Sequence, residues 1–596
     1  MPWTLVGLGG EALLVLTVRL LGKPRLERDG VHVPGPRGHK SWALLARLVR
    51  SADPVSRQTL VDELFSQADD PMAALRWSLA ELRRRLGTPE ALQGDPLTGD
   101  LGPGIEVDVT VAARGRFAGP PPEGRFLERV EVRDSATFDT WLLVERERVD
   151  AEIISGIREA TLRALAAGNA ELAIDLARVM VARDPLQEGP HVLLISALGA
   201  SGRPDAAARQ AEASYAMLRR ELGVTPSPAL RDAARPANRP SHPGVSAHAH
   251  ARTLQAAGLD ALSAGVADAG IEQLRSAASA ANDSHDAQLT AECLLELGIA
   301  LVHAVHSHDD EGSVVLGAAV AAASEANLDG IASRALAELG YVDVLSGRRV
   351  TAGIHLGWAR ELAGADQSLL AAVASIEGTD LHDRGQLDAA ATRFRESVAS
   401  AVEANKTRRH AWALGVGART LHWQGEDREA REWIEQSLEL IQRERWTAFR
   451  PWVEAWRGQV DLTLGRDPGA VIGELESTFA LSCQLRDACW QGMSAKVMGV
   501  AHAANGDRAA ADSWLRTAAA SCSRETDAYV WVRADVALAH AEFALEWGDN
   551  ATAGERADDA ILIAARCGLE DVLVRASRVR SQLRDSTESV PRIQHV

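Results

Sequence analysis

From Leu16 to Val33 apolar and polar residues alternate ("LTVRLLGKPRLERDGVHV"), with breaks at Gly22-Lys23-Pro24 and at Asp29-Gly30. This pattern predicts strands joined by tight turns, because side chains of a half-buried strand repeat every second residue. The period then changes. In "HKSWALLARLVRSAD" Trp42, Leu45, Leu48 and Val49 recur at helical spacing. In "PVSRQTLVDELF" Leu60, Val61, Leu64 and Phe65 share a helix face, with Ser56 placed to cap its start. A third helix, "PMAALRWSLAELRRRLG", opens on Pro71 and stops at Gly87. After a turn-rich stretch, alternation returns at Ile105, Val107, Val109 and Val111 and predicts a terminal hairpin. Strands, three helices and a hairpin in so short a span predict a winged helix-turn-helix domain over 15–114.

Beyond a Pro/Gly connection ("FAGPPPEGRF") the periodicity is helical throughout. Residues 115–234 contain two helix-turn-helix units turning at Gly168 and Gly202, and this 34-residue spacing is the period of tetratricopeptide-like (TPR-like) repeats. Residues 235–250, with three prolines and a glycine, read as a linker. A second array follows over 251–584. Its turn glycines, Gly347, Gly385, Gly425, Gly465, Gly506 and Gly548, are spaced 38, 40, 40, 41 and 42 residues apart. Weaker units surround Gly265 and the irregular "HSHDDEGS" near Asp309, for about eight helix pairs in all. The fold class is therefore mainly α: a small α+β winged helix followed by α-solenoid domains.

A chain of 596 residues exceeds a single core, as this division requires. Its net charge of −18 is unevenly spread: residues 1–116 hold 15 Lys/Arg against 14 Asp/Glu, the rest 49 against 68. An acidic bulk disfavours non-specific attraction to nucleic acid, and a local basic helix can still bind it. The five cysteines, from Cys293 to Cys567, include no CxxC pair, which fits reduced thiols and a cytoplasmic protein. The apolar start, Pro2 to Leu21, carries Glu11 and lacks a basic leader, so secretion is not expected, and no uncharged apolar run reaches membrane-spanning length.

Chemistry concentrates on the third helix. At 100° per residue Leu75, Leu79, Leu82 and Leu86 form one stripe, and Ala73, Arg76, Trp77, Ala80 and Arg84 lie opposite, with Arg83 on the flank. Small side chains let a helix enter the major groove, and arginine reads guanine or clamps phosphate. Arg76, Trp77, Arg83 and Arg84 are thus the candidate DNA face, with Arg37, Lys40 and Arg57 at the ends of the first two helices holding the backbone. The same arginines also suit the negative end of a helix dipole, and Trp77 equally suits packing between domains.

The string "GPRGHKSWALLARLVRSADPVSRQTLVDELF…ALRWSLAELRRRLG" resembles the winged-helix domain of actinobacterial antibiotic-regulatory-type (SARP-like) activators. "FLERVEVRDSATFDTWLLVERERV" and "RDPLQEGPHVLLISALGASGRPDAAARQAEASYAMLRRELGVTPSPAL" are similar to the bacterial transcriptional activator domain that accompanies it. Phe138, Trp141, Arg146 and the ending Glu221-Leu222-Gly223 with Pro226 and Pro228 stand where that pattern has them. The resemblance implies a transcription activator on double-stranded DNA, binding promoter-proximal direct repeats as a homodimer and contacting RNA polymerase. Glu81 departs from it, since many relatives are basic or polar there, and so do the residues ahead of position 15, which precede the family's usual start.

"GPRGHKS" (Gly35–Ser41) lacks the ending and spacing of a phosphate-binding loop, and no HExxH or GxSxG motif is present, so neither an enzyme nor a cofactor is expected. Six tryptophans, Trp412, Trp423, Trp433, Trp446, Trp452 and Trp456, crowd one stretch of the second array. Either they line a site for a small-molecule or protein effector, or they fill gaps in an Ala-rich stack. His242, His248 and His250, and His303, His306 and His308 with Asp309 and Asp310, read as polar segments before they read as metal ligands. The rival to the activator reading is a helical-repeat adaptor whose winged helix binds protein.

Overall fold

Four short strands make one sheet in the order β3-β2-β1-β4: β1 (Leu16–Arg19), β2 (Arg25–Arg28), β3 (Val31–Val33) and β4 (Ile105–Val107). The computed structural model describes residues 16–588, apart from positions 52, 118–119, 123, 134, 224, 235–245, 264–265, 305–307 and 524–528. Asp29 and Gly30, both at positive φ (49° and 78°), turn β2 into β3 with Leu26 opposite Val33. β4 runs parallel to β1, with Leu16 opposite Ile105.

The expected terminal hairpin is absent among the described residues. Alternation stops at Val107, and Val109 and Val111 lie on a helix, α4 (Asp108–Ala113). Asp108 causes the switch. Its buried carboxylate accepts the N–H groups of Leu20 (2.9 Å), Leu21 (3.1 Å) and Val109 (2.8 Å), which ends the β1 ladder and starts the helix. The returning chain instead pairs once, Val55 with Leu97, at 2.8 Å in both directions.

Between the strands stand α1 (His39–Val49), α2 (Arg57–Leu64) and α3 (Pro71–Leu86). Ser56 caps α2 by accepting from Thr59 N (3.1 Å), and Asp70 caps α3 by accepting from Ala73 N (2.8 Å). Gly87, at φ 75°, ends α3 in the left-handed conformation that suits glycine. Trp42, Leu45 and Leu48 of α1 meet Leu60 and Leu64 of α2 and the leucine stripe of α3 in one core.

The long helix α5 (Ala136–Ala166) follows. Its first half belongs to the same compact unit, Met1–Ala160, as the winged helix. Trp141 lies against Phe138 and Phe126, and Arg146 donates to the carbonyls of Phe126 (3.0 Å) and Leu127 (3.1 Å). The residues the resemblance singled out thus anchor the connection that the sequence marks as Pro/Gly-rich.

The second unit, Thr161–Val596, is helical. It begins with α6 (Ala170–Arg183), α7 (Glu188–Ala200), α8 (Pro204–Leu222) and the single turn α9 (Ala229–Asp232). Gly168 and Gly202 turn the first pairs at positive φ. Seventeen α-helices follow among the described residues, α10 (Ala247–Ser263) to α26 (Glu570–Glu588), as eight antiparallel pairs and a closing helix. Helix α10 begins inside the segment read as a linker, whose positions 235–245 lie outside the described residues, as does Gly265. Each of the six predicted turn glycines from Gly347 to Gly548 sits at positive φ between the helices of a pair. Buried Ala, Leu and Val form the core of the stack, one cluster running from Ala390 to Ala576 and another from Ala251 to Leu301.

The array also returns on itself. α16 (Gln367–Asp383) meets α24 (Val530–Glu546) and its neighbours: Tyr529 Oη donates to Asp383 Oδ1 (2.7 Å), and Arg349 Nε donates to the carbonyl of Cys567 (2.9 Å). No helix among the described residues is long and apolar enough to cross a membrane.

Candidate nucleic-acid interface

The leucine stripe of α3 is buried as its spacing predicts, with Leu75, Leu79, Leu82 and Leu86 at most 4% exposed. Burying that face fixes the opposite one outward: Arg76, Trp77, Ala80 and Arg84 are exposed. Trp77 is 57% exposed, so it fills no core within its own unit. Neither Arg76 nor Trp77 has a hydrogen-bond or ion-pair partner among the described residues, which leaves one guanidinium and one indole free beside the small Ala80.

The rest of the expected face is engaged. Arg83 donates from Nε to the carbonyl of Ala91 (3.0 Å) and from Nη2 to that of Leu92 (2.6 Å), so it holds the chain that leaves α3. Arg57 does the same from α2, with Nε on the carbonyl of Gly94 (2.8 Å). Arg84 remains two-thirds exposed and is paired with Glu81. Lys40 is half-buried, its ammonium 5.6 Å from the centre of the Phe65 ring, and Arg37 is exposed ahead of α1. The partners of Lys40 and Arg57 are Phe65 and the Gly94–Asp95 turn rather than the exposed face of α3.

Glu81, the departure from the family pattern, is buried on α3 between Arg84 and Arg85, the latter at 2.9 Å. Arg85 first, and then Arg84, hold its carboxyl below the usual carboxylate range. It therefore stays ionised and offsets part of the positive charge at this end of the helix.

The sequence reading passed over the ion pairs that orient the domain. Arg47 of α1 meets Glu63 of α2 (2.9 Å), and Arg50 meets Glu145 (2.5 Å) and Glu152 (2.8 Å) of α5. Partners 95 and 102 residues apart leave no local signal.

In the array the six tryptophans come together as core. Trp452 and Trp456 are fully buried and meet edge to face at 6.1 Å. The half-buried Trp412 stacks on Phe449 (4.6 Å) and on Trp446 (6.3 Å). Trp423 lies 5.9 Å from Trp531, and Trp433 closes over Gly417. As folded, these rings fill the spaces between Ala-rich helices.

The histidines are tied to carboxylates rather than gathered. His248 meets Asp286 (3.0 Å), His303 meets Glu338 (2.7 Å), and His308, buried rather than solvated, meets Asp232 (3.2 Å). His242 and His306 lie outside the described residues. No cluster of three metal-ligating side chains occurs among the described residues.

Residues 122–236 match the family described as Bacterial transcriptional activator domain. The chain therefore carries a domain of transcriptional activators, a regulatory rather than an enzymatic type. A small four-stranded sheet with three helices precedes this domain in the chain, and helical repeats follow it. No curated protein matches the chain in sequence. Among solved structures it is similar to a Rap protein complexed with competence and sporulation factor (12% identity over 57% of this chain and 87% of that one, TM-score 0.39). It is also similar to Mycobacterium tuberculosis EmbR in complex with a low-affinity phosphopeptide (22% identity, 37% and 64%, TM-score 0.27). A third is the apo quorum sensor NprR from B. thuringiensis (12% identity, 62% and 99%, TM-score 0.35). The match spans less than two thirds of EmbR.

Proposed function

We propose that the protein is a sequence-specific DNA-binding transcription activator of the cytoplasm, with α3 as its recognition helix and the repeat array as the receiver of an effector. The observation that carries this reading is the outward face of α3. Arg76 and Trp77 stand there without partners beside Ala80, on a helix whose other face is locked by four buried leucines. A partnerless guanidinium on a rigid helix suits bidentate contact with guanine or a clamp on phosphate. Contact with RNA polymerase, by the domain over residues 122–236, and dimerisation on direct repeats belong to the same proposal and follow from the family resemblance.

The test is a genome-wide DNA pull-down with the full-length protein beside its Arg76→Ala/Arg84→Ala variant. Enrichment of direct repeats upstream of genes, lost in the folded variant, supports the activator. Equal enrichment by both overturns the assigned face. Buried Glu81, which offsets the arginines beside it, favours the rival adaptor reading, in which no sequence is enriched at all.

A further inference from the structure

Where the array closes on itself, four helices bring an unusual set of polar groups into the interior: α16, α18 (Thr407–Trp423), α20 (Arg450–Thr463) and α24. Asp383 is the hub. Its carboxylate accepts from Arg349 Nη2 (3.1 Å), Arg419 Nη2 (3.0 Å) and Tyr529 Oη (2.7 Å), and all these partners are buried. Oδ1 takes Arg419 Nη2 and Tyr529 Oη, and Oδ2 takes Arg349, so Asp383 engages one nitrogen of Arg419.

Arg419 is wholly enclosed, yet its Nε and Nη1 have no acceptor. The guanidinium lies 4.6 Å from the Trp531 ring centre and 5.8 Å from that of Trp452. Aromatic faces attract its charge but do not accept its in-plane N–H groups. Two more groups around Trp531 share this condition. Trp456, 6.3 Å from Trp531, has an unpartnered Nε1–H. His382, 5.4 Å from Trp531, has an unpartnered Nε2. His382 Nδ1 lies 3.0 Å from the Thr420 hydroxyl. Burial keeps this imidazole neutral, its pKa well below the ordinary value. Arg419 and Trp456 thus bring three buried nitrogens with unpaired N–H groups close to Trp531, and buried donors in native structures are rarely left without an acceptor.

The geometry points to a receptor site for a small organic carboxylate inside the array, its oxygens taken by Arg419 and Trp456 and its planar apolar body held among Trp531, Trp452 and Trp423. This deepens the proposal that the repeats receive an effector, and rests on it. The interior is closed as folded, so entry requires the return contacts to part, where Gly347 abuts Cys567 and Gly385 abuts Asp571. Binding is then coupled to opening and closing of the array, the kind of change that an effector has to drive.

The test uses the full-length protein, with benzoate as probe and neutral benzamide as control, read by tryptophan emission and thermal unfolding. Benzoate is expected to quench emission saturably and raise Tm, benzamide to do neither. Arg419→Met should abolish the response, and Trp456→Phe, which keeps the ring and removes one N–H, should weaken it about tenfold. The site is overturned if benzoate has no effect, if benzamide matches it, or if Arg419→Met binds as well as the parent. Should that variant fail to fold, unchanged benzoate affinity in Trp456→Phe overturns the site instead. Promoter binding measured on the same preparations separates the two proposals. Benzoate binding without any change on DNA removes the effector role and keeps the site; DNA binding without benzoate binding does the reverse.

Discussion

Arg50 of α1 and Glu145 of α5 meet at 2.5 Å with the glutamate side chain only 3% exposed, so the winged helix is tied to the helix that follows it by an ion pair out of water. Arg50 also holds Glu152 about two turns further along α5 (2.8 Å). Burial alone would lower the arginine's pKa, and the two carboxylates more than reverse that, so its charge is never in question.

Removing the cation should therefore be severe. Arg50→Ala removes the close partner of both carboxylates and leaves Glu145 only the longer contact to Arg148 (3.8 Å), a change that costs about 3 kcal/mol. Urea unfolding should show this loss, and the additional change Glu145→Gln should recover part of it. A loss below about 1 kcal/mol, the value of an exposed pair, would mean that water reaches the site.

Arg76 and Arg83, seven positions apart on α3, should behave oppositely. Arg76 is partnerless, so Arg76→Ala should leave Tm unchanged and reduce the salt dependence of DNA binding by about one phosphate's worth. Arg83 donates to Ala91 and Leu92, so Arg83→Ala should lower stability by about 1–3 kcal/mol through carbonyls left without donors. Affinity measured across a salt series, beside denaturation curves, separates the two.

Arg83 also shows where reading the sequence stops. Its position on the flank follows from helical geometry alone, as do the buried leucines, the caps at Ser56 and Gly87 and the glycine turns of the array. These are local properties, set by neighbours within a few residues. What Arg83 touches is decided by where the chain goes after Gly87, and the same is true of Arg50 and Glu145. The Val107–Val109–Val111 alternation misled for a related reason. Valines two apart fit a strand, but the carboxylate of Asp108 satisfies backbone groups of a strand 87 residues away and turns the chain into a helix. The tryptophans could be counted but not oriented, since their partners Phe449, Trp490 and Trp531 come from three different segments.

Gly99 should tolerate no side chain although nothing in its neighbourhood marks it. A Cβ there would lie 2.2 Å from the carbonyl oxygen of Leu48, at the end of α1. Gly99→Ala must push the returning chain off that helix and should destabilise by about 1–3 kcal/mol. Gly30→Ala, with open space around it but a positive φ of 78°, should cost about 1 kcal/mol through backbone strain alone. Thermal unfolding of the two variants orders them, and a larger loss at Gly30 would contradict the contact at Gly99.

Glu81 gives a test with a definite sign in pH. Arg85 and Arg84 depress its folded pKa, so its contribution is present above the ordinary carboxylate value of 4.5 and lost as pH falls through the lower folded value. Glu81→Gln should accordingly be less stable than the parent at pH 7, with the gap closing in strong acid. The same change frees Arg84, so non-specific DNA affinity at low salt should rise.

Asp108 should show the opposite trend, because its environment is opposite. Burial raises its pKa, and the three N–H groups it accepts from Leu20, Leu21 and Val109 only partly offset that. A carboxyl with a raised folded pKa contributes most below its unfolded value of 3.8, and that contribution is lost as pH rises through the folded value. Asp108→Asn removes the titration and keeps the shape. One amide oxygen cannot replace two carboxylate oxygens, however, and its NH₂ faces a backbone donor. The variant should thus lose about 1–3 kcal/mol at neutral pH, with a stability profile flatter than the parent's as pH rises above 3.8. Because Asp108 joins β1 to α4, hydrogen exchange at the amides of Leu20 and Leu21 should quicken before exchange within α3 does. If exchange quickens equally across the unit, Asp108 supports the whole core rather than this one junction.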